Sequence, residues 1–463
     1  MRLFKKDKQF YRNVFILGFP IALQTLITVS VGMLDNIMVS RVSQNCFSAT
    51  ALANSYMTVF QIFCMGLGMG ASVLVSRYWG MKNTGDSEGK ADISLKQTIT
   101  LMLRLMFLVA TVFALGALLF PRFIMRTYTS EPVLILVGMR YLKYSIPTFF
   151  FLGLSLVTTI VLRSIGQSRY PLYVSIVALF INLSCNYMLI FGHFGAPRLG
   201  IEGAAIATCI ARAFEGSAVF IYLVFIDKKV GYRLKHLFMK TRALIGEYLR
   251  VCIPVLLSDA IYAIGNNAIT MVIGHLGGAF VAANSITAVT QQLSTVVIQG
   301  VCQAGAIITG QTLGNGKKEK AEEQGWLFLG LGFGLGFLSA LFIFFMKTPI
   351  ILAYGDKTTA EAVSIAYQLL NSISFIIIFQ ATNSIMTKGV LRGGGDTTML
   401  MLADNIFLWV LALPLGLLAG FVLHLPPFWI YFFLKFDQVA KTIWCVLRLR
   451  SRKWIKKIST GKN

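Results

Sequence analysis

Residues 65–80 read MGLGMGASVLVSRYWG, and residues 299–314 read QGVCQAGAIITGQTLG, a second copy of the same glycine-rich apolar pattern. Each copy follows an apolar run that contains a proline, FPIALQTL in the first half and IPVLLSDA in the second. One spacing along the chain relates three residue pairs: Pro20 with Pro254, Gly66 with Gly300, and Gly80 with Gly314. The chain therefore contains an internal duplication, and the two halves are predicted to share one architecture.

The composition indicates a chain that is solvated mostly by lipid. Of 463 residues, 56% are hydrophobic and 13% are charged, and the mean hydropathy is +0.71; a soluble domain has about 25% charged residues. Twelve apolar segments are each long enough to cross a hydrocarbon core of about 30 Å as a helix. They are residues 14–39, 47–76, 97–120, 132–158, 171–191, 202–226, 251–274, 280–312, 327–346, 362–385, 398–420 and 427–446. The sequence predicts an all-α integral membrane protein with twelve transmembrane helices.

Each half holds six predicted spans, so both halves enter the membrane in the same direction. Two such six-helix bundles, related by pseudo-symmetry, form a V around a central site in many transporters, and rocking them gives alternating access. The predicted organisation is a cytoplasmic N-terminus (1–13), an N-lobe (14–226), a cytoplasmic linker (227–250), a C-lobe (251–446) and a basic cytoplasmic tail (447–463). A duplicated bundle with another role stays open at this point, since symmetry alone does not prove transport.

The net charge of +23 results from 42 lysines and arginines against 19 aspartates and glutamates, and the basic residues are unevenly distributed along the chain. Most of them fall in the segments that are cytoplasmic when the N-terminus is inside, which is the pattern of the positive-inside rule. We therefore expect a multi-pass protein of a bacterial inner cell membrane with both termini cytoplasmic. The basic charge is explained by topology and lipid headgroups, so no nucleic-acid partner is expected.

One acid, Asp35, lies within the first apolar span, in VGMLDNIMVS. A carboxylate at membrane depth is costly and marks a functional site by default. From the helical rise of about 1.5 Å per residue, Asn186 and Thr208 lie at a similar depth in the N-lobe, and Asn182 shares a helix face with Asn186. Oxygens from these four residues suit a coupling ion, either a proton on Asp35 or Na⁺ held by Asp35, Asn182 and Thr208. Interhelical hydrogen bonding is the alternative role.

The remaining buried acids have several possible roles. Glu215 with Arg212, and Asp437 with Lys441, have the spacing of structural ion pairs on one helix face. A possible cavity or second-lobe site is predicted from the acids and polar side chains of the C-lobe, namely Asp259, Tyr262, Asn266, Gln291 and Asp404. The two acids of that set either line an inner cavity or have a structural role.

Several motifs resemble the multidrug and toxic compound extrusion (MATE) family over nearly the whole chain. They include GFPIALQ, LDNIMVS, GLGMGASVLVSRYWG, VLRSIGQSRYP, NLSCNYMLIFG and VLRGGGDT. The resemblance implies a transporter and not an enzyme. Such a protein exports organic cations or drugs in exchange for protons or sodium ions and needs no cofactor. We expect a monomer in the lipid bilayer with a small organic cation as its substrate.

The resemblance also bears on the site residues. One branch of the family has a cation site in the N-lobe whose positions fall on Asp35, Asn182, Asn186 and Thr208; that branch has an aspartate where this chain has Asn186. A second branch has acids on the seventh and tenth helices. Here Tyr262 is nearer the first of those positions than Asp259, and Ala381 stands near the second, with Asn383 following it. The C-lobe coupling site is thus predicted to be incomplete.

Two other functions fit parts of the sequence. A lipid-linked saccharide or peptidoglycan-precursor flippase of the same superfamily would need a basic cavity, and the arginines Arg104 and Arg140 are the main basic residues within the spans. An aspartyl intramembrane protease would use the GGGD motif at Asp396. Such an enzyme also needs a second aspartate, usually in a Tyr-Asp pair, which does not occur in this chain.

Overall fold

The structure, a computed structural model, describes residues 7–84, 89–354 and 359–456. These residues are mainly helical, and no strand occurs in them. The first half contains α1 (Lys8–Ser40), α2 (Gln44–Asn83), α3 (Lys90–Leu119), α4 (Pro121–Tyr128), α5 (Pro132–Ser164), α6 (Arg169–Phe191) and α7 (Ile201–Ile221). The second half contains α8 (Arg242–His275), α9 (Gly278–Gly314), α10 (Lys318–Tyr354), α11 (Ala360–Ser384), α12 (Thr397–Ile406), α13 (Leu413–Leu417), α14 (Pro427–Leu434) and α15 (Asp437–Arg450).

Irregular helical segments extend or join several of these helices. Wider π-type turns continue α7 at Tyr222–Ile226 and α11 at Ile385–Leu391, and they flank α13 at Phe407–Ala412 and Leu418–Val422. A short 3₁₀ helix at Leu234–Phe238 precedes α8. Within the described residues, eleven helical stretches are long and apolar enough to cross a membrane. They correspond to the first eleven predicted spans.

The twelfth predicted span, residues 427–446, is not one continuous helix. It is divided between the apolar α14 and the more polar α15, which begins at Asp437. Tight turns with i to i−3 hydrogen bonds join them: the Phe436 amide donates to Phe433, and the Gln438 amide donates to Lys435. The predicted count of twelve spans is broadly consistent with the fold, but the last helix is broken. Apolar length does not reveal this break, because it does not record that α15 buries the charged side chains of Asp437 and Lys441.

Packed structure extends past three of the predicted domain limits. The helix α1 begins at Lys8, within the predicted N-terminal segment, and its buried Phe10 packs edge-on against Phe328 at 4.8 Å. The helix α8 begins at Arg242, within the predicted linker. In the predicted tail, Trp454 is fully buried in the hydrophobic core. Aromatic side chains anchor the two ends of the described chain, a role that hydropathy does not reveal.

The segment before α8 is bound to α3 by a row of side chains on one face of that helix. Thr100 hydrogen-bonds the Tyr232 hydroxyl and the His236 carbonyl, each at 2.9 Å. The Arg104 guanidinium donates to the Leu237 carbonyl at 2.5 Å and to the Met239 carbonyl at 3.0 Å. Arg104 therefore holds the linker backbone.

The chain divides into two compact units. One is Leu23–Leu256; the other contains the described residues up to Ala22 and those from Leu257 onward. Both boundaries fall inside helices, α1 and α8, two residues after Pro20 and Pro254. They are related by the spacing of the sequence repeat, so each unit is built from equivalent pieces of the two halves.

A close glycine contact recurs in both units. In the first, a Cβ atom added to Gly66 of α2 would lie 2.9 Å from the Leu256 Cα of α8. In the second, a Cβ atom added to Gly300 of α9 would lie 2.7 Å from the Ala22 Cβ of α1. Real side chains do not fit at either point, so these glycines let two helix backbones approach closely. Gly66 and Gly300, which occupy matching positions in the two repeats, thus have a direct packing role.

Candidate functional site

Polar side chains in the first unit form stripes on three helices, α1, α6 and α7. Residues three, four, seven or eleven positions apart lie on one face of a helix, because eleven residues make about three turns. The stripes are Gln24 and Asp35 on α1, Ser175, Asn182 and Asn186 on α6, and Thr208, Arg212 and Glu215 on α7. Five of these residues line one narrow cleft, namely Ser175, Asn182, Thr208, Arg212 and Glu215. The three helices thus aim polar groups at a common space.

Asp35 is bonded to the asparagines of α6. The Asn186 amide nitrogen donates to the Asp35 carboxylate at 2.5 Å and to the Asn182 side-chain oxygen at 3.1 Å. Both asparagines are buried, whereas Asp35 is half-buried. The side-chain oxygen of Asn186 has no hydrogen-bond partner among the described residues. The structure therefore brings together three of the four predicted residues and leaves an acceptor oxygen available beside the carboxylate.

The fourth predicted residue, Thr208, lies in the cleft but is not bonded to Asp35. It lines the cleft with Asn182, and no hydrogen bond in the described part of the chain joins it to the carboxylate. The described residues also contain no group of three or more His, Cys, Asp or Glu side chains that could hold a metal ion. Any cation at Asp35 would be held by a single carboxylate and neutral oxygens.

A hydrogen-bond chain runs through two residues that line the cleft, Ser175 and Glu215. The Arg163 guanidinium donates to Gln24 at 2.5 Å, the Gln24 amide donates to Ser175 at 2.7 Å, and the Ser175 hydroxyl donates to Glu215 at 2.8 Å. The predicted ion pair is present, with Arg212 at 2.6 Å from the second Glu215 oxygen. Glu215 is therefore satisfied at both oxygens, as a structural carboxylate should be.

Gln24, Ser175 and Arg163 were missed by the sequence analysis. A signal existed for two of them: Gln24 lies three turns before Asp35, and Ser175 lies two turns before Asn182. Arg163 belongs to the VLRSIGQS motif, but nothing in a single sequence links it to Gln24. The hydrogen bonds between helices depend on tertiary packing and not on local spacing.

In the second unit, Lys441 of α15 lies between two carboxylates. Its ammonium nitrogen is 3.0 Å from Asp437 and 3.3 Å from Asp404, and the Ser258 hydroxyl donates to Asp404 at 3.1 Å. The predicted pair of Asp437 and Lys441 is present. Asp404 is buried in this ion cluster.

The other predicted C-lobe residues contact several different partners. Asp259 is 3.6 Å from Arg392, and the Lys441 ammonium lies 4.7 Å from the centroid of the Tyr262 ring. The Asn266 amide donates to the Tyr262 carbonyl at 2.9 Å, and Gln291 donates to Gln380 at 2.7 Å. The described contacts do not join all five into one cluster: Asn266 bonds Tyr262, and Tyr262 and Asp404 share the neighbour Lys441, whereas Asp259 and Gln291 have other partners.

The residues that the flippase and protease alternatives would use have other partners or lie outside the cleft. Arg104 binds the linker carbonyls described above, and Arg140 lines a separate groove with Lys143 between α3, α4 and α5. Asp396, of the GGGD motif, accepts two hydrogen bonds from Arg448, at 2.7 and 3.1 Å. Both carboxylate oxygens of this buried aspartate are paired with Arg448, which is the arrangement of a structural ion pair and not of a catalytic acid.

Comparison with known proteins identifies the family. The MatE family model matches residues 20–188 and again residues 254–418, beginning each time at a proline of the internal repeat. The chain belongs to the MATE family. It is similar to "Uncharacterized transporter YisQ" of Bacillus subtilis, at 23% identity with 97% of this chain and 96% of the relative covered. It is also similar to "Probable multidrug resistance protein NorM" of Thermotoga maritima, at 24% identity with 95% and 92% covered.

Solved structures agree with the fold of this MATE protein. A mutant of the Vibrio cholerae MATE transporter VcmN superposes with a TM-score of 0.84 at 17% identity, covering 96% of this chain and 97% of the other. The predicted all-α membrane fold is confirmed. The MATE protein is a multi-pass membrane transporter related to bacterial proteins, it is not an enzyme, and its family requires no cofactor.

Proposed function

We propose that this MATE protein is a secondary antiporter of a bacterial inner membrane that exports organic cations or drugs by alternating access. Both termini are cytoplasmic in this proposal, and the protein acts as a monomer. The observation that supports it most is the Asp35 carboxylate, half-buried in a membrane helix bundle and hydrogen-bonded to Asn186, whose neighbour Asn182 lines a cleft. The names of two relatives, multidrug resistance proteins of Thermotoga maritima and Pseudomonas aeruginosa, support the substrate class.

The chemistry of antiport follows from having one carboxylate. Ionised Asp35 attracts either the coupling cation or an organic cation, but one negative charge in a low-dielectric site neutralises only one of them. Binding of the coupling cation therefore weakens binding of the substrate, and linkage makes that effect reciprocal. Exchange results if the coupling cation displaces the substrate on the outer side of the membrane and the substrate displaces the coupling cation on the inner side.

The coupling ion in this proposal is the proton. Sodium, as a hard cation, needs several oxygens that point inward, whereas Asn186 directs an N–H group at the Asp35 carboxylate. Thr208, a predicted sodium ligand, is not bonded to the site. A proton needs only the carboxylate itself, and the unpartnered side-chain oxygen of Asn186 can accept a hydrogen bond from the protonated acid.

The flippase alternative has less support from the contacts. An anionic lipid-linked substrate needs basic groups in the transport cavity. Arg104 uses its guanidinium on linker carbonyls, and the cleft beside Asn182 and Thr208 carries the paired residues Arg212 and Glu215. Among the described residues, no basic cluster without an acidic partner lines that cleft.

Transport in proteoliposomes tests the proposal. A fluorescent organic cation is loaded, and a pH gradient or a sodium gradient is imposed separately. We expect export with the pH gradient alone, and near-complete loss of it in Asp35→Asn. The matched control is Asp92→Asn, which removes an acid paired with Lys82 and Lys96 at the start of α3, outside the cleft. Export by Asp35→Asn at the wild-type rate would defeat the assignment, and export driven by sodium alone would replace the proton.

A further inference from the structure

A second cluster of buried ionisable groups lies in the other unit and takes no part in the proposed exchange at Asp35. Asp437 and Lys441 are each 1% exposed, and Asp404 is 7% exposed. Lys441 bridges the two carboxylates, which come from α15 and α12. A buried ion pair is common, but three ions of which two are acids leave one excess negative charge in a site with little access to water.

The hydrogen bonds around this cluster end at two acceptor atoms without partners. The Asn383 amide donates to the Gln438 side-chain oxygen at 2.8 Å, and the Gln438 amide donates to one Asp437 oxygen at 2.6 Å. The other Asp437 oxygen and the Asn383 side-chain oxygen are buried, and neither has a hydrogen-bond partner in the described residues. A bare carboxylate oxygen in this position costs several kcal/mol. The cluster therefore lacks one positive charge and one donor.

We propose that the carboxylates of Asp404 and Asp437 hold one exchangeable proton, which makes this cluster a second proton-binding site. A proton on Asp437 cancels the excess charge and removes the cost of a bare, buried carboxylate oxygen without a donor. Lys441 then remains paired with the ionised carboxylate. The proposal concerns proton binding by the resting protein, and it stands or falls independently of transport at Asp35.

A proton fits this site better than a metal cation. The Lys441 ammonium already fills the space between the carboxylates, so a metal ion would be repelled by a fixed charge at close range. The other groups that face the cluster are Tyr262 of α8, whose ring lies over Lys441, Cys445 one turn after Lys441, and Lys388. Lys388 lies 5.6 Å from the Tyr262 ring centroid, and no ion pair among the described residues joins it to either carboxylate.

Infrared difference spectroscopy of the purified full-length protein tests the proposal, because protonated carboxyl groups have a distinct carbonyl stretch. The reference is Asp35→Asn, which removes the N-lobe acid. We expect this variant to show a titrating carboxyl band at the frequency of a buried carboxyl group, separate from the band of the exposed acids. In this background, the band should disappear on adding Asp437→Asn and equally on adding Asp404→Asn, because the single remaining carboxylate then pairs with Lys441.

Two further variants in the same background guard against folding failure and misassignment. Lys441→Met removes the fixed cation at nearly equal volume and should increase the band about twofold, since both acids then hold protons. Asp396→Asn is the matched control, because this buried acid is paired with Arg448 through both oxygens and should not contribute. A band that is absent in Asp35→Asn and unchanged by Lys441→Met would overturn the proposal, as would a band removed only by Asp396→Asn.

Discussion

Asn186 donates a hydrogen bond of 2.5 Å to the Asp35 carboxylate, and it joins α6 to α1 across the first unit. An amide at this position satisfies one carboxylate oxygen without adding charge. The site thus has one titratable group, which is the simplest arrangement for a single coupling ion. Changing the amide to an acid would change the number of charges at nearly constant shape.

The variant Asn186→Asp should therefore alter the ion requirement. Two carboxylates at hydrogen-bond distance cannot both ionise without a cation between them, and a neighbouring charge changes cation affinity by roughly tenfold or more. We expect a sodium gradient to support export in this variant and not in the wild type. Asn186→Leu is the control, since it removes the amide without adding charge. An ion requirement that is the same in Asn186→Asp and wild type would contradict the role given to Asn186.

The glycine contacts should be intolerant of a single added methyl group. Gly66→Ala and Gly300→Ala each place a Cβ atom within 3.0 Å of the facing helix, and overpacking of this kind costs about 1–3 kcal/mol. Thermal unfolding in detergent measures the loss. Gly334→Ala is the matched control, because a Cβ atom there meets no atom within 4 Å, and it should be neutral or slightly stabilising. Equal melting temperatures for all three variants would refute the packing role.

Arg104→Ala should release the linker from α3. The guanidinium donates to the Leu237 and Met239 carbonyls, and its loss leaves those acceptors without their donor. We expect trypsin to cleave near Lys235 and Lys240 several times faster in the folded protein. Arg104→Lys keeps the charge but not the forked geometry, so it should be intermediate. Unchanged cleavage in Arg104→Ala would show that the contacts to Thr100 suffice.

Acidification should loosen the same linker through His236. Its ring nitrogen accepts a hydrogen bond from the Arg233 amide at 2.8 Å. Burial, followed by the charges of Lys96 and Lys235, lowers the pKa of His236 below its usual 6.5. A lowered folded pKa means that the released linker binds the proton more readily. The stabilisation is thus present above about pH 6.5 and is lost as the pH falls through the folded value.

Limited proteolysis between pH 7.5 and 5 measures this effect on the linker. Cleavage should increase on the acidic side in the wild type. His236→Asn, which keeps a side-chain acceptor that does not titrate, should remove the pH dependence. A variant that retains the wild-type pH profile would assign the effect to another group.

The sequence predicts those features that have a local signal. Apolar length predicts eleven of the twelve spans, the repeated glycines predict the duplication, and helical spacing predicts the pairs Arg212 with Glu215 and Asp437 with Lys441. The bond between Gln24 and Ser175 and the contact between Lys441 and Asp404 join distant parts of the chain. A single sequence carries no signal for such pairs, and for the same reason the break before α15 was missed.

The placement of the unit boundaries inside α1 and α8 has a consequence for biosynthesis. Phe10 and Gly18 are synthesised well before their packing partners, Phe328 and Gly300. The unit that Leu23 begins is likewise incomplete until Leu256 has been made. Domains generally fold in the order in which they are synthesised. Here the part of α1 up to Ala22 cannot complete its packing until the second half of the chain has been synthesised. A gene fragment cut at the middle of the sequence would leave both products without a helix segment that each needs.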